Sequence, residues 1–107
     1  MTNFISMKYT IQFSPEASDD LTDILGFYKS QSSPDLQRRF IQALSTTLKT
    51  LQISPKSFSI RFKNARCGVV KTFPYNIYYW VDDVQQNVNL FALLHQSRHP
   101  KIWKKRL

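Results

Sequence analysis

The stretch over residues 73–100, FPYNIYYWVDDVQQNVNLFALLHQSRHP, constrains the fold more than any other part of the chain. Residues 76–81 are dense in β-branched and aromatic side chains, and residues 88–94 are apolar at nearly every second position, so both are predicted strands. The polar residues 82–87 predict the turn between them. A histidine and an arginine follow directly, within residues 95–100, and they are therefore candidates for a functional site at the end of a strand.

Two helices are predicted ahead of this hairpin, after a first strand over residues 7–13 in which apolar and polar residues alternate. Ser14-Pro15 is a helix start signal, with serine as the N-cap and proline at the first helical position. Residues 33–35, Ser-Pro-Asp, repeat the signal. Residues of a predominantly apolar stripe then recur at helical spacing in each segment: Ala17, Leu21, Ile24, Leu25 and Tyr28 in the first, and Leu36, Phe40, Leu44, Thr47, Leu48 and Leu51 in the second. The short link between them favours an antiparallel helical hairpin.

After the second helix the period changes from helical to two. Residues 58–63 alternate between an apolar and a basic face, residues 64–66 predict a turn, and residues 67–73 predict the next strand. The order is thus a strand, two helices and then three or four strands. We predict an α+β fold, in which an antiparallel helical hairpin packs on one face of a mainly antiparallel four-stranded sheet. Residues 1–6 are interpreted as a leader, and residues 7–107 as a single domain.

The charge is unevenly distributed along the chain. The net charge is +8, five of the seven acids lie between residues 16 and 35, and residues 36–81 carry eight basic residues and no acid. Such a field favours an anionic partner, either a nucleic acid or an acidic protein segment. We interpret the basic residues of the second helix as a solvated face. Those on or beside strands are candidate binding residues: Arg61, Lys63 and Arg66.

The sequence favours a cytoplasmic protein without a membrane partner. No apolar run approaches the roughly 20 residues that span a bilayer, and the N-terminal residues do not resemble a secretory signal. The single Cys67 suits a reducing compartment and is interpreted as a small core residue. His95 and His99 lack nearby carboxylate or cysteine partners, so we expect neither a metal site nor a cofactor.

Several motifs carry a family resemblance. YTIQFSPEASDDL and SPDLQRRFIQAL, followed by PYNIYY, LLH and RHP, resemble in order and spacing the RelE/ParE toxins. The resemblance covers the chain from Met7 onward. It implies that the chain has the fold of these toxins. It also implies that the chain is the toxin of a bacterial type II toxin–antitoxin pair of the plasmid-stabilisation type. Such a toxin is neutralised by a cognate acidic antitoxin, and its family divides into poisons of DNA gyrase and ribosome-dependent messenger-RNA endonucleases.

The endonuclease alternative requires particular chemical groups. Metal-free RNA cleavage needs a base for the 2′-hydroxyl, cations for the phosphate and an acid for the leaving oxygen. Lys71, on a predicted central strand, resembles a strand arginine of the endonucleases, Arg98 lies close to their late arginine, and His95 would supply the acid or base. Trp103 stands in the region of their C-terminal tyrosine or histidine, and its indole cannot give up a proton at a useful pH. His95 has a second interpretation, as a hydrogen-bonding residue at the strand end.

Three functions therefore stay open, and whether the chain is an enzyme stays open with them. The first, which the motifs favour, is a ParE-like toxin that binds DNA gyrase, with Arg98 and Trp103 as interface anchors. The second is a RelE-like endonuclease that acts on the ribosome and messenger RNA. The third is a nontoxic basic binding module of the same fold. In each, the basic tail over residues 101–106 is either an anion-binding arm or a solvated end.

Overall fold

The computed structural model of this chain describes residues 8–31 and 33–107. Its elements follow in the predicted order: β1 (Thr10–Phe13), α1 (Pro15–Lys29), α2 (Leu36–Ile53), β2 (Ile60–Phe62), β3 (Ala65–Val69), β4 (Tyr75–Asp82), β5 (Asn87–His95) and α3 (Lys101–Lys104). The α+β class is confirmed. The predicted leader over residues 1–6 lies outside the described residues.

The strands form one sheet of five, in the order β1-β5-β4-β3-β2. β1 runs parallel to β5, whereas all other neighbours are antiparallel. The predicted sheet had four strands. The fifth is the short edge strand β2, which lies within residues 58–63, where the sequence already alternates as in a strand. It pairs with β3 across an irregular register between Ile60 and Phe62. β1 and β2 thus form the two opposite edges of the sheet.

The helical hairpin covers one face of the sheet. The Ser14 side chain accepts a hydrogen bond from the backbone N–H of Ala17 at 3.0 Å, which is the predicted N-cap of α1. Beneath the hairpin, Tyr28, Phe40 and Tyr75 pack with ring centroids 5.5 to 6.1 Å apart. Apolar burial on this face supplies most of the driving force for folding. No helix in the described part of the chain is both long enough and apolar enough to cross a membrane.

A second, smaller core lies on the opposite face of the sheet. It contains Cys67, Tyr78 and Phe91, and it is covered by Trp103 of α3. The indole of Trp103 stacks on the Tyr78 ring, with centroids 4.5 Å apart and an interplanar angle of 17°. Residues 101–104 are therefore a packed helix rather than a free basic arm.

A β-bulge in β5 divides its apolar side chains between the two cores. Tyr78 pairs with Ala92 whereas Tyr79 pairs with Leu90, so Phe91 is the extra residue. A one-residue insertion reverses the face on which the following side chains lie. The alternation in the sequence suggested one apolar face, but Leu90 packs under the helices and Ala92 packs in the opposite core.

Candidate functional site

Lys71 lies in a turn and not on a central strand, contrary to the sequence prediction. β3 ends at Val69, and the chain turns back through Thr72, whose φ is 69°. The turn is tight because the N–H of Phe73 donates to the carbonyl of Val70 at 3.0 Å. It exposes Lys71 at the end of the sheet.

The turn and the exit of β5 lie side by side. Tyr75 pairs with His95, and the N–H of Gln96 donates to the carbonyl of Pro74 at 2.8 Å. The segments that carry Lys71, His95 and Arg98 therefore meet at one end of the sheet, and all three side chains are exposed.

The imidazole of His95 is held by a local hydrogen-bonding arrangement. Its Nδ1 lies 2.8 Å from Oγ of Ser97 and accepts the backbone N–H of Ser97 at 3.1 Å. The ring also packs edge-on against Tyr75, with centroids 5.3 Å apart. Because Nδ1 serves as an acceptor, the neutral ring carries its proton on Nε2. His95 thus makes hydrogen bonds at the strand end, as in its second interpretation, and its Nε2 is left to meet a ligand, as the first interpretation requires.

An open depression of about 230 Å³ lies between α1 and the exit of β5. Its lining combines an apolar floor with charged groups: Asp20, Asp23, Ile24, Phe27, Tyr75, Leu93, Leu94, His95 and Arg98. Asp20 is already bound to Arg106 and to the backbone of β5. Asp23 and Arg98 are exposed, so the depression presents a carboxylate and a guanidinium to a ligand.

The three basic residues near β2 do not form one patch. The guanidinium of Arg66 donates to the carbonyls of Phe58 at 2.7 Å and Lys56 at 3.3 Å, on the side of the sheet that the helices cover. Arg61 lies by the opposite face, where its charge partly offsets the effect of burial, which raises the pKa of Cys67. The strand alternation therefore separates Arg66, which braces the loop before β2, from Arg61.

A basic and aromatic surface surrounds Phe62 on the second face. The ammonium of Lys63 lies 5.5 Å from the Phe62 ring centroid, and that of Lys104 lies 4.7 Å from it. Such cation–π contacts orient the two ammonium groups. Lys63 follows β2 in the turn to β3, which is the end of the sheet remote from His95.

Trp103, proposed from the sequence as an interface anchor, is only 4% exposed. Its ring lies between Tyr78 and Phe62, so in this conformation it serves the second core. The sheet has two apolar faces and the hairpin covers one, which leaves Trp103 to cover the other. Four residues are too few for helical periodicity. The sequence feature that could have indicated this burial is the apolar pair Ile102 and Trp103 within an otherwise basic tail.

An apolar groove of about 430 Å³ runs between β1, α1 and α2. Its apolar lining residues are Ile11, Phe13, Leu21, Ile41, Leu44 and Leu48. Ile41 remains 46% exposed there. The groove lies at the β1 edge, whereas Arg61 lies at the β2 edge, so a partner that uses both must reach across the sheet.

The described residues contain no group of three or more histidine, cysteine, aspartate or glutamate side chains that would hold a metal ion. What the site offers is a set of exposed cations, an apolar groove and the imidazole of His95.

Residues 11–100 match the sequence model of a protein family, described as the ParE toxin of the type II toxin–antitoxin system, parDE. The chain belongs to this family. The match extends from β1 past the exit of β5, and it includes the depression and the apolar groove. No curated protein sequence is recognisably similar to the chain.

Solved structures of toxin–antitoxin systems share the fold. The chromosomal ParDE system from P. aeruginosa contains a chain similar to this one at a TM-score of 0.68 and 14% identity, over 83% of this chain and 97% of that chain. A mutant of the E. coli toxin RelE in the free state is similar at a TM-score of 0.65 and 14% identity, over 94% and 95%. The intact E. coli RelBE complex matches at a TM-score of 0.53 and 14% identity, over 84% and 99%. At such identities the likeness concerns the fold alone.

Proposed function

We propose that this member of the ParE toxin family arrests bacterial growth by binding DNA gyrase in the cytoplasm, and that a cognate acidic antitoxin neutralises it. The observation that carries the gyrase proposal is the separation of Arg61 and Lys63, two candidate cations for the phosphate, from the end of the sheet where Lys71, His95 and Arg98 meet. Arg61 and Lys63 lie towards one face and one edge of the sheet, while His95 and Arg98 flank the depression beside α1. Phosphoryl transfer needs its acid, base and cations within hydrogen-bond reach of one phosphate.

The C-terminal tail also lacks an obvious proton donor. Trp103 is buried against Tyr78, and its indole would not titrate. Burial raises the pKa of Tyr78 above its ordinary value of 10.0, so its phenol is a poor acid or base near neutral pH. Inhibition by binding needs none of these groups to transfer a proton. Exposed Arg98 is a suitable interface anchor for such binding.

The antitoxin is proposed to wrap around the domain. Its apolar side chains would fill the groove lined by Phe13, Ile41 and Leu44, and its acids would face Arg61 and Lys63. Arg66 contributes less, because its guanidinium is already bonded to backbone carbonyls. The net charge of +8 should steer an acidic partner, so the association rate should fall as salt increases.

Endonuclease activity remains a second candidate function because one observation supports it. The turn that carries Lys71 lies beside the exit of β5 with His95 and Arg98, so these three groups share one end of the sheet. His95 would then act through Nε2. This candidate requires the scissile phosphate at that end and not on the surface around Phe62.

Purified protein separates the two candidates. We expect it to inhibit supercoiling by DNA gyrase and to leave messenger RNA on ribosomes intact. Arg98→Ala should weaken inhibition, whereas His95→Gln, which keeps a polar side chain without an acid, should not. Arg38→Ala, at an exposed site on α2, is the matched control for loss of a positive charge. Ribosome-dependent cleavage that disappears in both His95→Gln and Lys71→Ala would overturn the gyrase proposal.

Expression in cells without the antitoxin gives an independent test. Gyrase inhibition should cause DNA damage and filamentation while translation continues at first. A chain that harms neither DNA nor translation would leave only a nontoxic binding module of the same fold. Arg98→Ala is preferable to Trp103→Ala here, because the tryptophan change would also open the second core.

A further inference from the structure

β5 has an open edge over its last residues. The parallel partner β1 covers β5 only as far as Leu90, because Phe13 pairs with Leu90 and the chain then leaves the sheet into α1. The N–H of Ser14 donates to the carbonyl of Leu90 at 2.9 Å, and this is the last contact of its kind. Among the described residues, no strand follows β1 along residues 91–95.

Side chains and a turn provide hydrogen-bond partners for some of the main-chain groups along this edge. The N–H of Leu93 donates to Oδ2 of Asp20 at 2.9 Å, and Nη1 of Arg106 donates to the carbonyl of Phe91 at 3.2 Å. At the end of the strand, the N–H of Arg98 donates to the carbonyl of His95 at 2.9 Å. These contacts protect an edge that would otherwise offer several unpaired groups.

Two main-chain groups at this edge have no hydrogen-bond partner in the described part of the chain. The hydrogen bond from the Gln96 N–H to the carbonyl of Pro74 shows which residues of β5 direct their main-chain N–H and C=O groups towards β4. Groups of residues 94 and 96 face β4, and those of Leu93 and His95 face the open edge. The Leu93 carbonyl and the His95 N–H therefore point outward, and neither has a hydrogen-bond partner within residues 8–31 and 33–107.

This pair has the spacing of a parallel β-bridge. One residue of an extended peptide would donate its N–H to the Leu93 carbonyl and accept the His95 N–H at its own carbonyl. β1 already pairs with β5 in the parallel sense, and its Thr10 N–H donates to the carbonyl of Gln86. A bound peptide would continue that pairing beyond the point where β1 leaves the sheet.

The adjoining depression provides contacts for the peptide's side chains. The bridging residue would lie beside Leu94, so the residues before and after it would point towards the α1 side. There Ile24 and the 53% exposed Phe27 form an apolar wall. Arg98 offers its guanidinium to an acidic side chain at the β5 side of the same depression, whereas the exposed carboxylate of Asp23 lies on the α1 side.

We propose that the open edge of β5 binds an extended acidic segment of the cognate antitoxin as a short parallel strand. The identity of the partner rests on the proposed toxin–antitoxin function. The site rests on the two outward main-chain groups, the apolar wall and Arg98. Main-chain bonds would give affinity, while Phe27 and Arg98 would select an apolar and an acidic side chain.

Substitutions at His95 separate the main-chain contact from the imidazole. His95→Pro removes the outward N–H without removing a bond to β4, and proline is tolerated at such edge positions. His95→Ala removes the imidazole and keeps the N–H, so it is the matched control. The probe is an acetylated and amidated hexapeptide in which threonine alternates with, in turn, valine, aspartate and valine, so that an apolar and an acidic side chain lie on the same face. It is titrated into isotope-labelled full-length protein and followed by amide NMR.

We expect the peptide to shift the amide of His95 and slow its hydrogen exchange. His95→Ala should retain affinity within about threefold, while His95→Pro should lose about tenfold or more. The same peptide with lysine in place of aspartate should bind more weakly, and Arg98→Gln should reduce that difference. Thermal unfolding shows whether His95→Pro is folded; if it is not, the exchange of the His95 amide in the wild-type protein decides.

Three results would overturn this site: equal binding to His95→Pro and His95→Ala, unchanged His95 exchange at saturating peptide, or no binding at all. Its failure is distinguishable from failure of the proposed function. Gyrase inhibition without peptide binding would remove only the site. Peptide binding by a protein that leaves gyrase unaffected would retain the site and remove the gyrase proposal.

Discussion

Arg106 and Asp20, which are 86 residues apart, form a two-point ion pair with Nη1–Oδ2 at 2.6 Å and Nη2–Oδ1 at 3.2 Å. Their side chains are only 19% and 11% exposed. The same two groups bond to Leu93 and Phe91 of β5. The pair therefore joins α1 on one face of the sheet to the C-terminal segment on the other, around the open edge of β5.

Breaking this pair should destabilise the protein and loosen α3. Arg106→Gln should lower the free energy of unfolding by about 2–3 kcal/mol, because Asp20 keeps a shielded charge without its partner. The fluorescence of Trp103 should shift to the red as the helix leaves the second core. Urea unfolding and emission spectra measure the two effects.

The matched control is the exposed pair of Arg38 and Asp35, whose side chains are 69% and 56% accessible. Arg38→Gln should change the free energy of unfolding by less than about 0.5 kcal/mol, because solvent already screens the pair. Similar losses for Arg38→Gln and Arg106→Gln would contradict the role assigned to the buried pair.

The two glycines of the chain should respond to alanine in opposite directions. Gly26 lies in the interior of α1, and an added Cβ would meet nothing within 4 Å. Gly26→Ala should stabilise the protein by about 0.5–1 kcal/mol through helix propensity. A Cβ on Gly68 would lie 2.5 to 2.9 Å from the Phe58 ring. Gly68→Ala should therefore cost about 1–3 kcal/mol through overpacking, and thermal unfolding of both variants tests the contrast.

Stability should decline in alkaline solution. Burial raises the pKa of Tyr79 above its ordinary value of 10.0, and its phenol donates to the carbonyl of Pro55 at 2.8 Å. A raised folded-state pKa means that stability is fully present below 10.0 and is lost as the pH rises through the folded value. Burial raises the pKa of Tyr28, Tyr75 and Tyr78 in the same direction.

Urea unfolding at increasing pH measures this loss, and tyrosinate absorbance reports which state ionises. Tyr79→Phe should make the decline shallower, because it removes one of the raised groups. A stability that stays constant well past the ordinary tyrosine pKa, or one that declines equally in Tyr79→Phe, would show that Tyr79 does not contribute.

The leader of residues 1–6 is predicted to be dispensable for folding. It precedes the alternating pattern of the first strand and has no pattern of its own. A chain that begins at Met7 should unfold cooperatively, with its free energy of unfolding within about 0.5 kcal/mol of the full chain. A much larger loss in thermal or urea unfolding would make the leader part of the packed domain.

Local patterns were enough for the helices and for the fold class. Ser14 caps α1 because serine and proline favour that start in any context, and the spacing of Phe40, Leu44 and Leu51 determines which side of α2 is buried. Cys67 is buried as its type suggests. These properties depend on neighbours within a few turns of the chain.

The candidate site was less accessible to sequence reasoning. Arg61 and Arg66 are close in the sequence, but strand alternation and an irregular register put them on different faces. Lys71 lies in a turn because β3 ends at Val69, whereas the apolar pattern predicted a strand as far as residue 73. The hydrogen bonds of His95 became known only with the position of Ser97.

By itself, the sequence determined the helical hairpin, the order of strands along the chain and the basic character, because each depends on composition or short-range spacing. Its motifs also carried the family resemblance. The tertiary structure alone decided the bulge at Phe91, the burial of Trp103, the pairing of Arg106 with Asp20 and the open edge of β5. All four depend on how the two faces of one sheet are covered by segments distant in sequence. Packing over such distances follows from the apolar area that each face must bury, which no local pattern specifies.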